Sequence, residues 1–313
     1  FATECLVACR GDGRGTGAVS SFGFGGTNAH GVLAETARPA QPPTRSKRPE
    51  YNKRPFHWRE VGFRMLRARP TEATFEVTME ADMYDVVKHH VVFGSIVVPG
   101  VVYVEMALEA TKELFGHGAR LTDITMVFPF VVPFRVTGVE PAATMRFVLK
   151  GETRFEIQST SASGNVTTHA EGGINRNVQI EPGRTEPVDL DSLRGRIDES
   201  VDTKDVYGAI DGVGLWLGPM FQVLRQVWRK EENGSNEVLG RLQLDPDVPN
   251  VGHVLHPALF DGTIHTLGTA SVGKNVNDLK IFGGVGSVDI IQKDNFSQLR
   301  QYWIWLNIKE KLE

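Results

Sequence analysis

The sequence predicts an α+β fold made of two strand-rich halves, each holding one apolar helix. Short runs rich in β-branched, aromatic or alternating residues recur from about Thr71 onward, each bounded by glycine, proline or charge. Two longer segments, both opened by proline, carry apolar residues at helical spacing. Between them the turn markers Gly183, Gly195, Gly208, Gly212 and Gly214 separate the halves, with no detectable repeat.

Taken in chain order, the first feature is a glycine-dense stretch from Gly11 to Gly31, whose composition demands tight backbone turns rather than a helix. Between Ala37 and Arg69, ten Lys or Arg face two Glu, and Pro39, Pro42, Pro43, Pro49 and Pro55 punctuate the run. That is the composition of a solvated spacer. The aromatic group Tyr51, Phe56, His57, Trp58 and Phe63 within it is expected to pack back onto a neighbouring domain. Strands are predicted over Thr74 to Met79, Thr144 to Lys150, Arg154 to Thr160 and Glu237 to Leu244. The run from Val101 to Phe115 reads as an amphipathic helix with Val101, Val104, Leu108, Thr111 and Phe115 on one face and Glu105, Glu109, Lys112 and Glu113 elsewhere. A second helix is predicted from Pro257 to about Thr269, with Phe260, Ile264 and Leu267 on its buried side and Asp261 and His265 sharing a face at i, i+4.

Composition excludes several function classes. With 313 residues, 41% hydrophobic and 23% charged, the chain has enough apolar content for a folded core. A net charge of −4 provides no positive field for nucleic acid. The apolar stretch from Val91 to Val104 is too short for a bilayer and is broken by Gly94, Pro99 and Gly100, so no membrane span is expected. The two cysteines, Cys5 and Cys9, rule out a disulfide framework and fit a reducing, cytoplasmic compartment, an organelle being the alternative. The opening at Phe1 lacks a signal segment and reads as mid-chain sequence from something larger.

Two positions carry candidate chemistry. His90 precedes a glycine turn, an apolar stretch and a helix start at Pro99-Gly100, where unpaired backbone N–H groups favour negative charge. A base beside such a helix end suits proton abstraction next to a carbonyl; the alternative is a histidine satisfied within the core. Asp261 sits among Leu259, Phe260 and Ile264, where partial desolvation would raise its pKa and make it a proton donor, with His265 one turn later to orient it. The alternative is an aspartate that complements the helix dipole. A zinc group of His253, His256, Asp261 and His265 fits in composition, but its spacing matches no established motif, and no metal is expected. Gly214 to Gln222 says only turn and core.

His90, Gly94 and Pro99 resemble the HxxxGxxxxP motif of polyketide synthase dehydratase domains. Asp261 and His265, within His-Pro-Ala-Leu-Phe-Asp, match their Asp-x-x-x-Gln/His motif, and Gly214 to Phe221 resembles the intervening Gly-Tyr-x-Tyr-Gly-Pro-x-Phe motif. The resemblance spans about residue 69 to the end and implies a double hotdog, with an N-terminal half at about 69–175 and a C-terminal half at about 200–313. It implies that His90 removes the α-proton of a β-hydroxyacyl thioester while Asp261 protonates the departing hydroxyl. It assigns His265 and the Gly100 N–H to support, and places Gly94, Pro99, Leu217, Gly218, Pro219 and Phe221 against the substrate. No cofactor is implied beyond the phosphopantetheine arm of an acyl carrier protein, and a homodimer is expected. One departure stands out: Leu215 and Leu217 replace both tyrosines of the third motif, and Leu217 has no hydroxyl to offer the substrate.

Residues 1–36 resemble the C-terminal tail of a ketosynthase, with His30 in its Asn-Ala-His motif but without the nucleophilic cysteine region. Followed by a linker at 37–68, this arrangement implies neighbouring ketosynthase and other synthase domains. The rival readings are a double-bond isomerase, which typically lacks the aspartate, a product-template cyclase, and a non-catalytic module that docks carrier protein.

Overall fold

In the computed structural model the described residues are 65–79, 81–116, 120–132, 144–161, 164–176, 188–232, 235–250, 252–274, 282–290 and 300–309, together with the backbone of 7–8, 16–22, 28–34 and 59–60. The chain divides into two compact units, Phe1–Pro55 and Phe56–Glu313. In the first, strands β1 (Val7–Ala8), β2 (Thr16–Phe22) and β3 (Asn28–Ala34) form an antiparallel sheet in that order. The side chains of Cys5, Cys9 and His30, most of the basic linker and its aromatic group lie outside the described residues.

The second unit contains, in chain order, β4 (Arg59–Glu60), β5 (Ala68–Thr71), β6 (Thr74–Thr78), α1 (Ala81–Val87), β7 (His90–Val92), β8 (Ser95–Ile96), α2 (Gly100–Phe115), β9 (Arg120–Met126), β10 (Thr144–Lys150), β11 (Arg154–Thr160) and β12 (Val166–Asn175). There follow α3 (Leu190–Arg196), β13 (Glu199–Val201), α4 (Thr203–Gly212), β14 (Leu215–Leu217), β15 (Leu224–Glu232), β16 (Ser235–Gln243), α5 (Pro257–Leu267), a 3-10 turn at Gly268–Ser271, β17 (Gly284–Val288) and β18 (Gln301–Lys309). One antiparallel sheet runs β17-β9-β12-β11-β10-β6-β5-β4, and a second runs β13-β15-β16-β18. Helix α2 packs on the first sheet and α5 on the second, and the two helices touch each other. This is the double-hotdog arrangement.

Alternation builds the first sheet. Buried residues occur at every second position of β6 and β11, which puts Phe75, Val77, Phe155 and Ile157 under α2. Cross-strand register sets Phe75 opposite Phe147, and Phe147 stacks on Phe155 with ring centroids 5.5 Å apart. Strand β17, from late in the chain, pairs with β9 in this first sheet, so residues 284–288 cross into the N-terminal half.

The helices depart from their expected faces. Helix α2 is buried at every residue from Val101 to Thr111, including Glu105 and Glu109. A helix enclosed by a wrapping sheet has no solvent side on which to place polar residues. On α5 the buried set is Pro257, Ala258, Leu259, Asp261, Gly262, His265 and Thr266, whereas Leu267, expected inside, is 40% exposed. Gly262 explains the rotation: a Cβ there would meet Val223 at 2.5 Å, so this face comes closest to its neighbours.

Candidate active site

His90 begins β7. The turn that follows uses Phe93 and Gly94, both left-handed, with Gly94 at φ +79°, a conformation that glycine adopts without strain. The chain thereby folds back so that His90 Nδ1 lies 2.8 Å from the Val97 carbonyl oxygen. A carbonyl only accepts, so Nδ1 carries the proton and donates, leaving the lone pair on Nε2. On the other side β14 completes a small sheet in the order β14-β7-β8, with Leu217 in register opposite His90 and the Gly218 N–H donating to His89 O at 2.8 Å. A side chain at Gly218 would collide with the His89 ring. Phe221 places its ring 5.9 Å from that of His90. His89, in the turn before β7, lies against Gly218, whereas His90 bonds Val97 and neighbours Phe221.

Helix α5 supplies the second group. His256 caps it, its Nδ1 accepting from the Ala258 N–H at 3.1 Å, and Pro257 occupies the first turn, where a missing N–H costs nothing. One turn further in, His265 Nε2 stands 2.8 Å from Asp261 Oδ2. The approach is off the axis of an aligned hydrogen bond, yet two such atoms at this distance require a proton between them. Asp261 and His265 are both buried. Burial pushes the Asp261 carboxyl up, but the charge and hydrogen-bonding capacity of His265, with the charge of His90, outweigh it and hold the group below the usual aspartate value. The raised pKa expected from the apolar neighbours is therefore corrected: the neighbours that decide the sign are histidines.

Burial lowers the His90 pKa below its ordinary 6.5; the charge of Asp261 and the Val97 hydrogen bond push it up, and His265 pushes it down. His90 is accordingly neutral, hence basic, at pH 7. A titration of its ring protons by NMR is expected to give a midpoint below 6.5, moving further down in Asp261→Asn and up in His265→Gln. The acid limb of kcat/KM should follow the parent midpoint, with activity lost as pH falls through it. A parent midpoint at or above 6.5 would contradict this electrostatic account.

The third group is backbone. Pro99 caps α2 and Gly100 is its first residue, so the Gly100 N–H has no acceptor within the helix. Val97, which holds His90, lies three residues before Gly100 in sequence. Phe282 Cδ1 and Met126 would lie 2.8 Å and 3.3 Å from a Cβ at Gly100, so only glycine brings the helix end this close to its neighbours. A cavity of about 180 Å³ is lined by Tyr207, Gly208, Asp211, Trp216, Leu217 and Gln222. Neither His90 nor Asp261 borders it, and it is smaller than the roughly 300 Å³ at which ligand pockets begin.

Sequence reasoning missed a buried polar cluster. Glu105 accepts from the N–H groups of Val254 at 2.6 Å and Leu255 at 2.9 Å, while both oxygens of Glu109 lie within 3.2 Å of the Met65 N. His253 Nδ1 stands 3.6 Å from Glu105 and 3.8 Å from Glu109, with its ring 4.8 Å from that of His256. Burial raises the Glu105 pKa to about 8. Ligand-capable atoms of Glu105, Glu109 and His253 lie within 4.8 Å of one another, but the carboxyl oxygens already accept backbone N–H groups, which suits a strut better than a metal cage. The available signal was a pair of acids one turn apart in an otherwise apolar helical run.

Comparison with known proteins places these features in context. A family model described as polyketide synthase dehydratase domain matches residues 61–160, and one described as polyketide synthase dehydratase N-terminal domain matches 185–299. The polyketide synthase GfsE of Streptomyces halstedii is 32% identical over 189 residues, 58% of this chain and 5% of that protein. The highly reducing polyketide synthase pkhB of Emericella nidulans is 26% identical over 249 residues, 72% of this chain and 9% of that protein. The chain thus spans only a small part of these relatives. Among solved structures, the dehydratase domain from the CurK module of the curacin polyketide synthase superposes with a TM-score of 0.63 at 24% identity, covering 76% of this chain and 81% of that one. Two further structures of the CurK dehydratase are described as inactive mutants, one with phenylalanine for a histidine and one with asparagine for an aspartate. No helix among the described residues is long and apolar enough to cross a membrane.

Proposed function

We infer, from the premise that this chain belongs to the polyketide synthase dehydratase domain family, that His90 and Asp261 eliminate water from a β-hydroxyacyl thioester. The observation that carries the assignment is the 2.8 Å approach of His90 Nδ1 to Val97 O, which commits the Nδ1 proton and leaves Nε2 as the basic atom. Nε2 takes the α-proton, and the C–H electron pair moves toward the thioester carbonyl, whose developing negative charge meets the Gly100 N–H at the positive end of α2. As the α,β double bond forms, the C–O bond breaks and the hydroxyl leaves as water with the one transferable proton that the Asp261–His265 pair holds when substrate binds, leaving a carboxylate and a neutral imidazole. Proton transfer from His90 back to the pair restores the starting state. The products are an α,β-unsaturated thioester and one water, and no redox step or cofactor is required.

Supporting the reading, the CurK dehydratase is described as inactive after replacement of a histidine or of an aspartate, the two residue types assigned here. By the same family membership the acyl group travels on the phosphopantetheine of an acyl carrier protein, the chain works beside other synthase domains, and two copies pair. The direct test is the absorbance of the conjugated thioester formed from a β-hydroxyacyl pantetheine. Its appearance supports dehydration; its absence with carrier binding intact moves the assignment to a non-catalytic docking module.

Leu217 gives a second, graded test. It is buried and lies in register opposite His90, where a tyrosine hydroxyl would stand near the reacting groups. Leu217→Tyr is expected to raise kcat/KM by about 2- to 10-fold over Leu217→Phe, the yield of one added hydrogen bond of about 0.5–1.5 kcal/mol. Equal rates for the two variants would show that position 217 contributes shape alone.

A further inference from the structure

We propose that Glu105 is a positioning residue for Asp261, holding the start of α5 at a set height and rotation against α2. The inference rests on the reading of Asp261 as the acid. Full burial of a carboxyl group is costly unless its oxygens are satisfied, and nothing in the packing of α2 calls for a carboxyl there: Val104 and Met106 beside it are ordinary buried apolar residues. What Glu105 does is reach a segment 149 and 150 residues away, where its two oxygens receive two successive N–H groups, those of Val254 and Leu255. That segment turns at Gly252, with φ +91°, and belongs to no strand. Its N–H groups therefore have no sheet partner to hold them.

The two residues so held stand directly before the cap of α5. His256 follows Leu255, Pro257 starts the helix, and Asp261 lies in its second turn, so only the cap residue separates the held backbone from a rigid element. On the other side of the tie, Glu105 and Gly100 belong to one helix. Helix α2 therefore carries both the N–H that faces the developing enolate and the carboxyl that fixes the helix of the acid. The distance between the two catalytic functions is set through a single rigid body, with Glu109 and His253 filling the space around the tie.

Errors of position of about 1 Å at reacting groups cost on the order of 100-fold in rate. Glu105→Gln preserves shape but turns one acceptor into a donor, so one of the two N–H groups loses its partner. The expected result is a kcat per folded molecule about 10- to 100-fold below the parent, with KM within about twofold. Independently of turnover, the ¹³Cγ resonance of Asp261 should titrate at a higher pH than in the parent, because a displaced α5 carries Asp261 and His265 together away from the charge of His90 while burial persists. Thr111→Val, which removes a buried hydroxyl bonded to Ala107 O on the same helix, serves as the structural control and should change only the melting temperature. Glu105→Gln with a lowered melting temperature, but parent-like kcat and an unmoved Asp261 midpoint, would overturn the proposal. A parent chain without dehydratase activity would overturn the functional reading instead, and the Asp261 titration would still decide the placement.

Discussion

His90→Phe is expected to lower kcat/KM for dehydration by about 10²- to 10⁴-fold, the range over which a positioned general base contributes. That corresponds to about 3–5 kcal/mol of transition-state stabilisation. The substitution keeps a flat, somewhat larger ring beside Phe221, and it removes both the basic Nε2 and the donor that holds Val97. The fold should therefore persist while chemistry stops, which circular dichroism and a melting curve can verify beside the kinetics. Because the base acts in the transition state, the loss should fall on kcat rather than on KM. A His90→Phe chain retaining a tenth or more of parental kcat would remove His90 from the mechanism.

Asp261→Asn is expected to cost a similar factor with β-hydroxyacyl substrate, for a different reason. The amide is isosteric but offers no carboxylate to share a proton with His265 Nε2 across the 2.8 Å contact and pass it to the hydroxyl. The two roles separate with a β-chloro analogue, whose leaving group departs as an anion without a proton. Above the uncatalysed rate, Asp261→Asn should eliminate chloride at a rate near that of the parent, whereas His90→Phe should not. If both variants fail equally on the chloro substrate, Asp261 serves chiefly to hold His90 or the substrate rather than to donate a proton.

Much of this was legible from local patterns. The strands over Thr144–Lys150 and Arg154–Thr160 fall at the predicted residues, because alternation between a buried and an open face is a property of a few neighbouring side chains. Helix α2 begins one residue earlier than expected and α5 begins at its proline, since a ring that fixes φ and lacks an N–H marks a first turn unambiguously. The i, i+4 meeting of Asp261 and His265 is likewise local geometry.

What was not legible depends on residues distant in sequence. An amphipathic reading places Glu105 and Glu109 in water, and only the approach of Val254, Leu255 and Met65 makes their burial tolerable. The sign of the Asp261 shift was out of reach for the same reason: the apolar neighbours were visible in sequence, but His90 lies 171 residues away, and its charge acts only through the fold. The pairing of β17 with β9, and of Leu217 opposite His90, are registers between segments that no local period encodes. The family motifs pointed to the groups proposed to react, whereas the frame that holds them emerged only from the packed structure.

The most direct test of the central assignment is mass spectrometry of a β-hydroxyacyl group loaded on an acyl carrier protein and incubated with this chain, with His90→Phe and with Asp261→Asn. Loss of one water with the parent chain, and with neither variant, is the predicted result. An unchanged acyl mass with the parent, or water loss that persists in His90→Phe, would contradict it.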